Sequence, residues 1–390
     1  MPRFPRFAQK VSHIKGAVFE KYRQSMQAYG DGLVRLHIGD TYLPPAYPVP
    51  IDSGFLSGQA DYSRYCDTFG IPALRQALAE KVNEDNALIA GPENILVTAG
   101  ATNALSSALH ALLNPGDEIL VFTPCWPIFP GIIQSVPARM VEVSLYTKLL
   151  ENPEMDIYGY LNRFFTGKTV AIYLNSPNNP SGKVLNREQL KMIAQFARDR
   201  RLWVITDEAY DGLLFDKRTQ VSIGAMDEIR LQTVSVFTFS KIFMFAGLRL
   251  GYAVAERKII EAMNKIMVHQ LYSPATVTQQ MMVEPVKSRK AWMGDVRDKY
   301  QNLRDLFLSH LSLPVPPPEA TYFLFFSLAP YLGGRNYDDV IKRCFAEGVS
   351  VAPGIDFGRD YERWVRLCFT GETPEKLVEG ASKLKKILTE

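Results

Sequence analysis

Lys241 stands inside FTFSKIFMFAGLR (237–249), among four phenylalanines and Ile242, Met244, Ala246 and Leu248. Whatever buries this stretch draws an ammonium toward the interior, where an unpaired charge costs several kcal/mol. The amine must therefore reach solvent, pair, or exist as something other than an ammonium. An amine in an apolar pocket has a lowered pKa, so it can attack a carbonyl carbon near neutral pH and later serve as a base. Other chemically able residues stand just beyond apolar runs. Asp207 follows LWVIT and opens DEAYDG; desolvation should raise its pKa unless a donor or cation holds it ionised, and it could equally cap a helix. Tyr210 lies one helical turn further on. NSPNNPSG follows VAIYL and is a turn by composition, yet Asn175, Asn178 and Asn179 offer more amide groups than a turn requires. Trp126, between two prolines after EILVF, is either a stacking platform or a core anchor. Ala101 and Thr102 open a helix after ILVT; its free N–H groups make a ready anion site, although many helices start with small residues. Thr238 and Arg249 bracket the lysine, and Arg366 sits within WVRLCF, where a guanidinium needs a carboxylate from the protein or a ligand. Cys125 has no histidine or helix start beside it and is set aside as a nucleophile.

The elements that must position these residues follow a repeated pattern: a short apolar run, a polar turn, an amphipathic helix. The runs are ILVT (95–98), EILVF (118–122), VAIYL (170–174), LWVIT (202–206), VSVF (234–237) and RLGYAVA (249–255). Runs that are continuous rather than alternating are strands buried on both faces, and helices between them predict a large α/β domain with a mostly parallel sheet. Val11, Ile14, Val18, Tyr22, Met26 and Tyr29 recur at helical spacing and predict a helix over about 10–29, ended by Gly30. GIPALRQALAEKVNED predicts another, with Pro72 in its first turn. Ala101, Ala104, Leu105, Ala108 and Leu112 stripe the helix that begins in AGATN. Past about residue 290 come a long polar helix, PVPPP, a strand in TYFLFFSL, a helix around YDDVIKRCFAEG, the strand VRLCF and a helix from Pro374. They predict a smaller α+β domain joined by the N-terminal segment.

Composition narrows the classes of function. Apolar residues form 47% and charged residues 22% of the 390, as in soluble globular proteins. The net charge of +3 and the lack of any basic cluster argue against a nucleic-acid partner. No run of 18 apolar residues occurs and the N-terminus has no apolar signal core, so no membrane association or secretion is expected. Cys66, Cys125, Cys344 and Cys368 show no CxxC spacing; no metal site and no disulfide framework is expected, and a cytoplasmic setting is. Neither GxGxxG nor a P-loop is present, which disfavours a nicotinamide dehydrogenase.

In an open parallel sheet, ligands bind beyond the carboxyl ends of the strands. A ligand that used all of these residues would be anionic at one end, planar and aromatic in the middle, basic at a ring nitrogen and reactive toward an amine. Pyridoxal 5'-phosphate meets each requirement. Its phosphate would lie on the helix start at Ala101 and Thr102 with Thr238 and Arg249, its ring on Trp126, and its ring nitrogen against Asp207. Asn179 and Tyr210 would hold the ring oxygen, and Lys241 would form the Schiff base.

At this point NSPNNPSG, DEAY, and T-x-S-K followed by the arginine of GLRLGY resemble the signature segments of the class I and II aminotransferases, fold type I pyridoxal-phosphate enzymes. YCDTFGIPALRQAL resembles the segment whose tyrosine, Tyr65 here, reaches the phosphate bound by the partner subunit. VSVAPGIDFG and WVRLCF resemble the C-terminal segments, which implies that Arg366 grips the substrate α-carboxylate; HIGD resembles the segment that touches the same carboxylate through Gly39. The resemblance runs from about residue 35 to the end. It implies an α/β fold whose large domain holds a mostly parallel seven-stranded sheet between helices, with a smaller α+β domain made from the N- and C-terminal segments. The boundaries expected are 1–45 for the arm and part of the small domain, 46–290 for the cofactor-binding domain and 291–390 for the C-terminal domain. A homodimer is implied, with a ping-pong transfer of an amino group from an L-amino acid to a 2-oxo acid, in which Lys241, Asp207 and Tyr210 are catalytic and Asn179 touches substrate as well as cofactor.

Trp126 stands where the family often has tyrosine. Phe243 and Phe245 make the lysine loop more aromatic than usual, and Tyr42 and Leu43 differ from the commoner acidic and aromatic pair. Those flanking phenylalanines are expected to exclude water and to shape substrate choice. The same fold and residues also serve β-eliminating C–S lyases and cyclopropane-forming synthases, and a non-catalytic pyridoxal-phosphate-binding regulator is a third reading.

Overall fold

The computed structural model describes residues 11, 14, 22–49 and 62–390. Its strands are β1 (Val34–Arg35), β2 (Ile95–Thr98), β3 (Glu118–Thr123), β4 (Arg139–Ser144), β5 (Thr169–Asn175), β6 (Trp203–Asp207), β7 (Thr233–Thr238), β8 (Gly251–Val254), β9 (Phe323–Ser327), β10 (Val349–Ser350), β11 (Ala352–Pro353) and β12 (Trp364–Cys368). Its helices are α1 (Arg23–Tyr29), α2 (Pro72–Asn86), α3 (Ala101–Leu112), α4 (Phe129–Ser135), α5 (Tyr146–Glu151), α6 (Ile157–Asn162), α7 (Arg187–Arg200), α8 (Arg257–Gln270), α9 (Thr276–Lys287), α10 (Met293–Leu311), α11 (Tyr337–Ala346) and α12 (Pro374–Thr389).

The continuous apolar runs form a seven-stranded sheet in the order β2-β8-β7-β6-β5-β3-β4. Strands β4, β3, β5, β6 and β7 run parallel to one another, and β8 alone is reversed, antiparallel to both β2 and β7. Both faces are covered, which is why no polar alternation marks the central strands: β7 and β3 are buried at every position. The six predicted runs all lie in this sheet. The seventh strand, β4, is an edge strand, and its exposed Arg139 and partly exposed Glu142 hide it from an apolar-run criterion. Helix α3 packs on α8 and on β6–β8. Helix α2 begins with Pro72 at its first position, where the missing N–H is harmless, and stops at Ala87 with φ 55°.

The C-terminal elements form an antiparallel sheet, β11-β12-β9, with α10 packed on α12. The N-terminal segment joins this part through β1, which pairs in parallel with β10. Of the helix expected over 10–29, the described part is Arg23–Tyr29, ending at Gly30 as expected; most of the remainder lies outside the described residues. Among the described residues, no helix is long and apolar enough to cross a membrane.

Candidate active site

The strand directions decide which side chains meet. Asn175, Asp207 and Thr238 end the parallel strands β5, β6 and β7, and Ala101 follows β2 at the same edge. Because β8 is reversed, the residues before it share that edge, and so Arg249 joins them. Gly251 permits the closest approach: a Cβ there would lie 2.7 Å from the Ala101 nitrogen and 2.8 Å from the Phe237 oxygen. Any larger residue would push β8 from the start of α3.

A cavity of about 470 Å³ opens at this edge. Of the residues singled out from sequence, Gly39, Ala101, Thr102, Trp126, Asn179, Asp207, Tyr210, Thr238, Lys241, Arg249 and Arg366 all line it. Tyr65 does not; it is 84% exposed, its ring edge-on to Tyr272 at 4.8 Å.

Lys241 follows β7 in a turn whose Ser240 N–H donates to Thr238 Oγ1 at 3.2 Å, while the two hydroxyls meet at 3.0 Å. Its Nζ donates to the Gly39 carbonyl at 3.0 Å and lies 5.4 and 5.5 Å from the ring centres of Tyr210 and Tyr322. Tyr322 also donates its hydroxyl to the Lys241 carbonyl at 2.9 Å. The amine has no ion-pair partner among the described residues, and burial brings its pKa down to about 8. Its opening charge problem is thus met partly by aromatic faces and partly by a weakened hold on the proton.

Asp207 is buried, and burial raises its carboxyl to about 6, against the Tyr173 hydroxyl and the Ala209 N–H, which donate to it at 3.0 and 3.1 Å. It ends β6 rather than opening a helix: residues 209–212 form a turn. Beneath that turn the buried Lys81 of α2 pairs with Asp211 and donates to Asn86 Oδ1 at 2.9 Å. Asn175 ties the neighbouring strand end down: its Nδ2 donates to the Asp207 carbonyl at 2.7 Å and its Oδ1 accepts the Asn179 N–H at 2.7 Å. The surplus amides of NSPNNPSG therefore brace the site as well as line it. Asn179 reaches the Tyr210 hydroxyl.

Arg366 lies in the middle of β12, opposite Phe325 and Ala352. Strand alternation puts it on the same face as Cys368, toward the 37–40 segment. It donates to the His37 carbonyl at 2.6 Å and to Asn179 Oδ1 at 3.2 Å, and its guanidinium stacks over Phe323 at 4.2 Å and Phe357 at 5.0 Å. Its buried Nε has no acceptor. A cation held by neutral groups with a donor to spare has the chemistry to take a carboxylate. Gly39 keeps the approach open: a Cβ there would stand 2.7 Å from Phe323.

One expectation fails. Phe237, Phe239, Phe243 and Phe245 do not line the cavity. Phe237 stacks on Tyr252 at 4.9 Å, Phe239 lies tilted against Phe243 at 5.0 Å, and Phe243 meets Trp292 edge-on at 5.2 Å, all in the core behind the site; Phe245 is partly buried against the same core. The turn after β7 sends Lys241 forward and its aromatic neighbours back. The aromatic wall comes instead from Trp126, Tyr210 and Phe323. Sequence reading missed Phe323, His37, Ile38, Leu105, Pro127, Ala209 and Ala246 as lining residues. The His37 side chain is neutral near pH 7, since burial, with Arg366 and Arg35 adding to it, lowers its pKa to about 4.

The cradle fits the inferred ligand. A Cβ on Gly100 would come within 3.0 Å of the Arg249 guanidinium, so the bare glycine sets that cation over the start of α3, where an anionic group would gain both the charge and free N–H groups. Fold and cavity together define a class: an α/β protein with a lysine amine, a buried carboxylate and two arginines, one at a helix start and one without an ion-pair partner among the described residues, around one cavity at the carboxyl ends of its strands. Residues 52–384 match the family model for aminotransferase class I and II, and the chain belongs to that family. It is 31% identical over 335 residues to an aspartate aminotransferase of Pyrococcus abyssi, covering 84% of this chain and 85% of that one. It is 32% identical over 305 residues to an aspartate/prephenate aminotransferase of Thermus thermophilus, covering 76% of each. Among solved structures, a double mutant of Thermus thermophilus aspartate aminotransferase superposes with a TM-score of 0.89 at 28% identity, over 99% of this chain and 100% of that one. The protein is an aminotransferase with the fold type I architecture.

Proposed function

We propose that this aminotransferase uses pyridoxal 5'-phosphate, held covalently by Lys241, to move the amino group of an L-amino acid to a 2-oxo acid in two half-reactions. The observation that carries this reading is the meeting of Lys241, Asp207, Arg249 and Arg366 in one cavity. When bound, the cofactor supplies an aldehyde for the amine and a protonated ring that withdraws electrons from the substrate Cα. Arg249, Thr238 and the N–H groups at Ala101 and Thr102 bind the phosphate. Asp207 keeps the ring nitrogen protonated, Asn179 and Tyr210 hold the ring oxygen, and Trp126 covers one ring face. Arg366, with Asn179 and the Gly39 segment, orients the substrate carboxylate. Lys241 Nζ, as a neutral amine, is the base for the Cα proton.

Relatives named for aspartate, prephenate and aromatic amino acids support amino and oxo acids of that kind as substrates. The pairing of β1 with β10 supports the division into 1–45 as an arm and part of the small domain, 46–290 as the cofactor domain and 291–390 as the small C-terminal domain. The exposure of Tyr65, away from its own cavity, supports a homodimer in which that residue completes the partner's phosphate site. Free cysteines support a cytoplasmic setting.

Mixing the cofactor-loaded protein with single L-amino acids and following the cofactor's absorbance tests the reading. The expected result is conversion to the amine form with one equivalent of the matching oxo acid, reversed by a second oxo acid. Pyruvate and ammonia from a cysteine-like substrate, without the amine form, would replace it with β-elimination. A second prediction concerns pH. Only the neutral amine attacks an aldehyde, and the Lys241 pKa is about 8, so capture of added pyridoxal phosphate by the cofactor-free protein should quicken tenfold per pH unit below that value and level off above it. Stopped-flow absorbance reads this directly.

A further inference from the structure

Tyr173 is the one protein side chain, among the described residues, that hydrogen-bonds the Asp207 carboxylate. It lies in β5, beside β6, fully buried, with its hydroxyl donating to Oδ2 at 3.0 Å. Its ring is stacked on Phe129 at 3.6 Å with 20° between planes. Phe129 begins α4, just past the segment that carries Trp126, so the phenol is fixed between the sheet and that segment. With Ala209 N–H on Oδ1 and Tyr173 on Oδ2, both carboxylate oxygens are oriented, and each keeps a lone pair for a partner in the cavity.

We propose that Tyr173 is a positioning residue for the transamination chemistry: by donating to Asp207 it holds that carboxylate ionised and aimed at the ring nitrogen of the bound cofactor. This rests on the aminotransferase reading of the cavity. A carboxylate this buried needs donors to stay charged, and a hydrogen bond to a charged group is about twice as strong as a neutral one. The other groups facing Asp207 do not substitute. Lys241 acts on it only through space, Tyr210 and Tyr146 add negative charge if ionised, and Tyr146 is committed to the Asn175 backbone at 2.7 Å. Cys125 stands near Tyr173, and burial keeps that thiol, like the phenol itself, protonated at working pH. Tyr173 is therefore a constant donor, and Asp207 is the member of the pair that titrates.

The sign follows. Removing the donor makes the ionised carboxylate less favourable, so Asp207 takes up its proton at higher pH and the acid limb of activity moves up. In Tyr173→Phe, which keeps the ring and its stacking, the acid limb of the kcat profile should rise by about one pH unit. The ring-nitrogen NMR shift of ¹⁵N-labelled cofactor in the full-length holoenzyme should titrate with it, while KM for the amino acid stays within about twofold. Incorporating 3-fluorotyrosine at 173, a stronger donor, should move both in the opposite direction. An acid limb and a ring-nitrogen titration that do not move in either variant, in protein that binds the cofactor covalently, would overturn the proposal and leave the aminotransferase reading intact. Loss of covalent cofactor binding in unaltered protein would overturn that reading instead. If Tyr173→Phe does not fold, the fluorotyrosine protein alone decides by the sign of its shift.

Discussion

Lys241→Ala should lower the steady-state transamination rate by about 10⁴-fold, because the proposed mechanism makes one side chain both the covalent anchor and the base. The fold should survive. Lys241 makes a single hydrogen bond through its amine, to Gly39, and its aromatic neighbours are packed by other contacts: Tyr210 against Phe323, and Tyr322 against Tyr300. The variant should also bind the cofactor reversibly, through Arg249, Asp207 and Asn179. Dialysis should then strip cofactor from the variant and not from unaltered protein, and a melting temperature near that of unaltered cofactor-free protein would separate lost chemistry from lost structure.

Arg366→Gln should raise KM for amino acids by roughly 10²–10³-fold, with a smaller fall in kcat, since truncating a buried charge that grips an oppositely charged group costs about 2–5 kcal/mol. Arg366 has a donor unfilled: its hydrogen-bond partners among the described residues are the His37 carbonyl and the Asn179 amide, and its Nε has none. The effect should disappear for amines that lack an α-carboxylate, which is the control that ties the loss to the carboxylate. Arg366→Lys should recover little, because an ammonium cannot reproduce the planar fork that lies between Phe323 and Phe357.

The cavity-lining residues that were legible in the sequence include those that break an apolar pattern. Asp207, Asn179, Thr238 and Arg366 are polar groups at or inside buried strands, and a polar group there calls for an explanation. The central strands were legible for the same reason, being apolar without interruption. Strand β4 was not, because an edge strand mixes exposed and buried positions, and β1, β10 and β11 are two residues each, held by long-range pairing that no local pattern encodes. Phe323 and Leu105 line the cavity but look like any core residue in the chain. The phenylalanines beside Lys241 mislead in the opposite sense. They adjoin the lysine in sequence, while the turn after β7 points them into the core, and only three-dimensional direction distinguishes a cavity wall from its backing. Tyr173 sits between these cases: a single hydroxyl in VAIYL, whose partner on the adjacent strand becomes evident only once β5 and β6 are in register.

The central claim is that Lys241 is the covalent attachment point. Reducing the cofactor-loaded protein with borohydride, digesting it and mapping the pyridoxyl-bearing peptide by mass spectrometry reads this in one step. The expected result is a single modified residue, Lys241. Modification of another lysine, or of none, would contradict the account.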